Sequence, residues 1–111
     1  MIKFKSTVRI QVYSPELRHI LETLDNLNRE QIFNYPADWT VTSINDSIHS
    51  KNSKHYKNQA LDLRSHNFND IATKMQFVEL LKLKLENKYT VLFEGGETSN
   101  EHFHIQLRKG L

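Results

Sequence analysis

The spacing of apolar residues changes several times along the chain, and these changes are the strongest constraint on its fold. Apolar and polar residues alternate over residues 2–12, which predicts a half-buried strand. Residues 14–16 combine a hydroxyl, a proline and an acid, which is typical of a helix start. Leucines and isoleucines at helical spacing follow, and they predict a helix that ends near residues 26–28.

Further along, short apolar segments predict strands over residues 40–44, 60–64, 89–93 and 102–108. A second helix is predicted to begin at Asn69-Asp70, and its inner stripe would consist of Ile71, Met75, Val78, Leu81 and Leu85. Strands and helices are mixed without a βαβ rhythm. We therefore expect an α+β fold in a single domain, residues 1–111, with a small antiparallel sheet and two main helices.

Composition narrows the classes of function. The chain has no cysteine, which excludes disulfides and thiolate zinc sites, so any metal must be held by imidazole and carboxylate. No apolar run approaches the roughly 20 residues needed to span a bilayer. Residues 1–10 lack a long apolar run after their lysines, so we do not expect them to act as a signal peptide. The net charge of +2 is low for a nucleic-acid binder. We expect a monomer that is made in the cytoplasm and binds neither nucleic acid nor membrane.

Two short segments carry ligand-type side chains. His55 lies in a polar segment, and Asp62 lies seven residues later in the middle of a predicted strand. Because Leu61 and Leu63 should point into the core, Asp62 should point the other way. In the last strand, His102 and His104 share the face opposite to the apolar residues.

Two imidazoles and one carboxylate from these segments can converge on one metal ion. Three protein ligands leave a fourth position for water, which is typical of a catalytic zinc. A carboxylate is also needed to take the proton from that water, and Glu101 is close enough in sequence to do so. Since residues 101 and 104 of a regular strand face opposite sides, we expect Glu101 in the preceding turn or at a bulge.

The motifs Ser53-x-His55, Ala60-x-Asp62 and Glu101-x-x-His104 occur in that order. Together they resemble the zinc D-Ala-D-Ala carboxypeptidases and L-alanyl-D-glutamate endopeptidases. This group includes many phage lysis enzymes and shares its fold with the hedgehog signalling domain.

The resemblance implies a function and a role for each motif residue. Zn²⁺ would be bound by His55, Asp62 and His104, with Glu101 as the base, His102 stabilising the oxyanion and Ser53 touching the substrate. The implied activity is hydrolysis of an amide bond in peptidoglycan stem peptides by a zinc-bound water, at the bacterial cell wall after release or as part of a virion. The alternative is a catalytically inactive, zinc-containing binding module of the same fold.

The chain departs from the family pattern at two places. Asn58 stands where the family usually has glycine, and asparagine tolerates a left-handed backbone better than most residues. The family also places a substrate-binding arginine upstream of the first motif, whereas this chain has no arginine between Glu30 and Gln59. The possible substitutes are Lys51, Lys54, His49 and Arg64, and the sequence does not choose among them.

Overall fold

The computed structural model describes residues 2–6, 8, 14–30, 38–44, 59–68 and 70–108. In this part of the chain the elements are β1 (Ile2–Phe4), α1 (Pro15–Glu30), β2 (Trp39–Ser43), β3 (Ala60–Arg64), α2 (Ile71–Lys84), β4 (Tyr89–Glu94) and β5 (His102–Leu107). The fold class is α+β, with two helices and one five-stranded sheet, as the apolar pattern predicted.

The sheet is mixed, with the strand order β1-β2-β3-β5-β4. Strands β2, β3, β5 and β4 pair antiparallel, but β1 pairs parallel with β2. The prediction of an antiparallel sheet is therefore wrong for this pair. The connection between the two strands contains α1, and a helical crossover of this length returns the chain to the same sheet in the same direction.

Two predicted boundaries differ from the structure. The first strand ends at Phe4 instead of continuing to residue 12, because the chain turns and the Val8 N–H donates to the Lys5 carbonyl at 3.0 Å. Residues 9–13 lie outside the described residues. Helix α1 continues to Glu30, past the predicted end near residues 26–28. Its Leu27 is fully buried, and this packing outweighs the weak helix propensity of the neighbouring asparagines.

Both helices pack against one face of the sheet. The central strands contribute Leu61, Leu63, Phe103 and Ile105 to this core, all at most 1% exposed. Aromatic rings fill the space between α2 and the sheet, with centroids 4.8–6.1 Å apart among Trp39, Phe68, Phe77 and Phe103. Neither helix in the described residues is long and apolar enough to cross a bilayer.

The inner stripe predicted for α2 is only partly correct. Val78, Leu81 and Leu85 are buried, but Ile71 and Met75 are 54% and 44% exposed. Phe77, which was not in the predicted stripe, is fully buried. Its ring stacks on Trp39 with centroids 5.1 Å apart. The position of this large ring fixes how the helix is rotated about its axis, which turns Ile71 and Met75 toward solvent.

Candidate functional site

The sheet face opposite to the helices carries two neighbouring rows of side chains, and we call it the polar face. Successive side chains along a strand point to opposite faces of the sheet. Because Leu61 and Leu63 point toward the helices, the residues next to them in β3 point to the polar face. The strand register places Asp62, His104 and Leu92 in the first row. The second row, two residues along each strand, consists of Arg64, His102 and Glu94.

Asp62 and His104 are in direct contact across β3 and β5, although 42 residues separate them in sequence. His104 Nδ1 lies 2.8 Å from Asp62 Oδ1, and His104 Nε2 lies 2.7 Å from Gln106 Oε1. The two side chains are only 12% and 15% exposed. Burial lowers the pKa of His104, but its hydrogen bonds to Asp62 and Gln106 and the negative charges of Asp62 and Glu94 outweigh burial and raise the pKa.

His102 lies beside this pair. Its Nδ1 is 2.6 Å from the carbonyl oxygen of Asn100, to which it donates a hydrogen bond because a carbonyl only accepts. Its Nε2 is 3.1 Å from Glu94 Oε1 and 4.0 Å from Asp62 Oδ1. The structure therefore brings three of the predicted site residues together, namely Asp62, His102 and His104.

Glu101 immediately precedes β5, in the turn where the sequence placed it, and its side chain is 3% exposed. The Ser65 hydroxyl and the Glu97 N–H donate to its carboxylate at 2.7 Å and 2.8 Å, and Lys74 Nζ from α2 lies 2.5 Å away. Burial raises the pKa of Glu101, but these hydrogen bonds and the Lys74 charge outweigh burial and lower the pKa to about 2.

The contacts of Glu101 run to Lys74 of α2, to Ser65 directly after β3 and to the preceding turn, not to Asp62 or His104. A carboxylate whose pKa is about 2 is a weak base near neutral pH. Proton transfer by Glu101 therefore requires that its carboxylate first leave Lys74, and its role as the base stays a prediction.

No protein-family model, curated protein or solved structure matches the chain. The resemblance to the zinc peptidases thus rests on the motif residues themselves, together with the contact that joins Asp62 to His104.

Two of the six predicted site residues, Ser53 and His55, lie outside the described residues, since they fall within residues 45–58. Within the described ranges, no three His, Asp or Glu side chains form a group that can hold a metal ion. The described residues thus contribute two of the three predicted zinc ligands, and the roles of Ser53 and His55 stay predictions.

Sequence reasoning missed the partners of Glu101, which are Ser65 and Lys74. A signal for Lys74 was present, because it precedes Phe77 and Val78 by three and four residues and so borders the buried face of α2. Nothing comparable marked Ser65, whose burial depends on β3 and β5 being neighbours.

Proposed function

We propose that this protein is a zinc-dependent peptidase that hydrolyses an amide bond in the D-amino-acid-containing stem peptides of peptidoglycan. The observation that carries the proposal is the contact between Asp62 and His104 on the polar face. These are two of the three residues that the motif resemblance names as zinc ligands. On this proposal the protein acts at the bacterial cell wall, after release or as part of a virion.

The chemistry of the pair fits Zn²⁺. Aspartate oxygen and imidazole nitrogen are ordinary zinc ligands. Asp62 Oδ1 and His104 Nδ1 are hydrogen-bonded at 2.8 Å, so both residues are placed where they would hold one Zn²⁺. The proposed third ligand is His55, on the strength of the motif.

The neighbouring residues have separate proposed roles. Bound Zn²⁺ would lower the pKa of a water molecule and polarise the carbonyl of the scissile amide. His102 would donate from Nε2 to the carbonyl oxygen as negative charge develops there. Because Nδ1 already donates to the Asn100 carbonyl, this role requires the imidazolium form, in which both ring nitrogens carry hydrogen. Glu101 would accept the proton of the attacking water after separating from Lys74.

The second candidate is a catalytically inactive, zinc-containing binding module of the same fold. One observation favours it, namely that the Glu101 carboxylate is occupied by Lys74, Ser65 and the Glu97 N–H. A base held permanently in this way leaves zinc and substrate binding intact but removes proton transfer.

Digestion of purified peptidoglycan by the zinc-loaded protein separates the two candidates. A peptidase produces new free amines without new reducing sugar ends, and the fragment masses identify the bond. The matched control is Asp62→Ala, which should bind little zinc and release no fragments. A wild type that binds zinc and stem peptide but never cleaves would establish the binding module, whereas a wild type that binds no zinc would refute both candidates.

A further inference from the structure

Strand β4 forms one edge of the sheet, and in the described part of the chain it pairs on one side only, with β5. Proteins usually protect an edge strand by making it short or by placing lysine on it. Strand β1, at the other edge, has three residues and carries Lys3. Strand β4 has six residues, contains neither lysine nor proline, and is rich in residue types that favour strands. It is therefore an unprotected edge, which is a surface for another strand.

The ladder between β4 and β5 shows which backbone groups of β4 point outward. The Arg108 N–H donates to the Lys88 carbonyl at 3.0 Å, and in the same register Thr90 and Leu92 bond to β5. The direction of the N–H and C=O groups alternates along a strand. The residues between them therefore direct these groups away from the sheet: Tyr89, Val91 and Phe93. We call the outward side of β4 that these three residues form the open edge.

The open edge is complementary to itself. A two-fold axis perpendicular to the sheet at Val91 pairs β4 antiparallel with β4 of a second copy, so that one surface serves both partners. Val91 then lies opposite Val91 of the second copy, and Tyr89 lies opposite Phe93. Since all of these residues direct their N–H and C=O groups outward, the pairing forms about six hydrogen bonds between the two backbones.

The same register brings opposite charges together on the polar face. Lys88 lies opposite Glu94 of the second copy, and the two-fold axis forms this pair twice. Both side chains are exposed, and each also contacts one residue of its own chain, Lys88 with Glu86 at 3.5 Å and Glu94 with His102 at 3.1 Å. Within one chain Lys88 and Glu94 are six residues apart along the strand, a distance of about 20 Å. They can therefore pair only between two copies.

A register shifted by one residue is less favourable. Centred on Leu92, the pairing places Glu94 opposite Thr90 and forms no ion pair. Centred on Val91, it places the exposed Leu92 opposite Thr90, whose methyl group offers an apolar contact across the strands. Charge therefore selects Val91 as the centre of the pairing.

Two exposed apolar side chains of α2 overhang the open edge. Lys74 Nζ lies 5.6 Å from the centroid of the Phe93 ring, so the first turns of α2 lie above β4. Phe77 points the other way, toward the ring on which it stacks in β2. Ile71 and Met75 lie about 120° and 160° around the helix from Phe77, on the side of the open edge, and both are exposed. A second copy paired at β4 brings its own α2 alongside and covers these side chains.

We propose that two copies of the chain associate through the open edge, with their β4 strands paired antiparallel about Val91 and their two five-stranded sheets joined into one. The dimer differs from the monomer expected from the sequence, and it goes beyond the proposed function. Each protomer keeps its own Asp62–His104 pair, because those residues lie on β3 and β5.

Sedimentation equilibrium of the zinc-loaded full chain tests the proposal through the charges at Lys88 and Glu94. The variants Lys88→Glu and Glu94→Lys each place like charges at both ends of the paired strands, and each should raise the Kd of the dimer about ten-fold, since two attractive pairs become repulsive. An equimolar mixture of the two variants restores opposite charges at both ends and should form a heterodimer with a Kd close to that of wild type. Because only folded chains can pair, rescue by mixing separates a loss of pairing from a loss of fold.

The matched control is Arg29→Glu, which makes the same change of charge as Lys88→Glu at another exposed residue. Arg29 lies in the last turn of α1. This half of α1 packs near β2, because Trp39 Nε1 donates to the Leu24 carbonyl at 2.8 Å, and three strands separate β2 from the open edge. Arg29→Glu should therefore leave the Kd of the dimer unchanged.

Amide hydrogen exchange gives a second readout. In the dimer the N–H groups of Tyr89, Val91 and Phe93 enter hydrogen bonds, so their exchange should slow as the chain concentration rises above the Kd. The N–H groups of Thr90 and Leu92 already bond to β5 and should exchange at the same rate at every concentration.

Three results overturn the proposal. They are a wild type that stays monomeric up to about 1 mM, charge variants that dimerise as tightly as wild type, and a mixture that dimerises no more tightly than its components. A dimer that is lost when a chelator removes zinc also overturns it, because the open edge contains none of the proposed metal ligands. The proposed function fails separately: a dimer without turnover of stem peptides contradicts the peptidase alone, and a monomer with turnover contradicts the dimer alone.

Discussion

The buried ion pair between Lys74 and Glu101 should be a main determinant of stability, and replacing Lys74 by methionine tests this. The lysine side chain is 13% exposed and the glutamate side chain 3%. Methionine keeps most of the length of lysine and removes its charge. The Lys74→Met variant therefore leaves a buried carboxylate with two of its three donors, Ser65 and the Glu97 N–H.

The structure sets the size of the effect. Removing one partner of a buried ion pair costs about 3–5 kcal/mol, and the two remaining donors place this case at the lower end. The pKa of Glu101 falls from 4.5 to about 2 in the folded protein, which corresponds to about 3 kcal/mol of net stabilisation of the ionised form by Lys74, Ser65 and the Glu97 N–H together, against burial. We therefore expect Lys74→Met to lower the free energy of unfolding by about 3 kcal/mol at pH 7.

The assay is urea unfolding at equilibrium, with the wild type and Lys82→Met as references. Lys82 lies on the same helix, but its pair with Glu79 is exposed and 3.5 Å long, so its loss should cost less than about 1 kcal/mol. Adding Glu101→Gln to Lys74→Met removes the uncompensated charge and should recover part of the loss. A Lys74→Met variant as stable as Lys82→Met would refute the reasoning.

The pH dependence gives an independent check. Because the pKa of Glu101 is lower in the folded protein than in the unfolded chain, its carboxylate stabilises the fold above about pH 4.5. This contribution is lost as the pH falls toward 2. The difference in stability between wild type and Lys74→Met should therefore shrink over this range, and a difference that stays constant down to pH 2 would contradict the assignment.

The remaining predictions concern the metal, the base and the turn before β5. Purified protein should contain about one zinc per chain by elemental analysis, and three single alanine variants should lose most of it: His55→Ala, Asp62→Ala and His104→Ala. The exposed His66→Ala should retain it. Glu101→Gln should keep its zinc while turnover of a stem peptide falls by about two to four orders of magnitude; normal turnover would remove Glu101 from the mechanism. Gly95→Ala should destabilise the fold by more than about 1 kcal/mol in thermal or urea unfolding, because Gly95 has φ +65° and an added Cβ would lie 2.8 Å from the Asn100 carbonyl oxygen. Wild-type stability in this variant would show that the turn adapts.

The elements and faces of the fold followed largely from local periodicity. Strand β3 has the predicted bounds, and α1 and the last two strands begin where they were predicted to begin. The outward direction of Asp62 followed from the inward leucines on either side. Periodicity is a local property of a strand or helix, so it can be read from neighbouring residues.

Periodicity was insufficient where packing between distant segments decided the outcome. The first strand satisfied the alternating pattern beyond Phe4, yet the chain turns there and the strand pairs parallel with β2. In α2, the stripe at Ile71 and Met75 had the correct spacing, but Phe77 occupies the aromatic core. Several helix rotations and several strand pairings fit the same apolar pattern. The one that forms is decided by the surface of the segment that packs against it.

The site shows the same division. The sequence by itself determined the residue types, their order and the strand face that each of Asp62, His102 and His104 occupies. Only the tertiary structure decided that Asp62 meets His104 at 2.8 Å and that Glu101 turns to Lys74. The physical reason is that these contacts depend on strand register and helix position, which arise from interactions between segments distant along the chain.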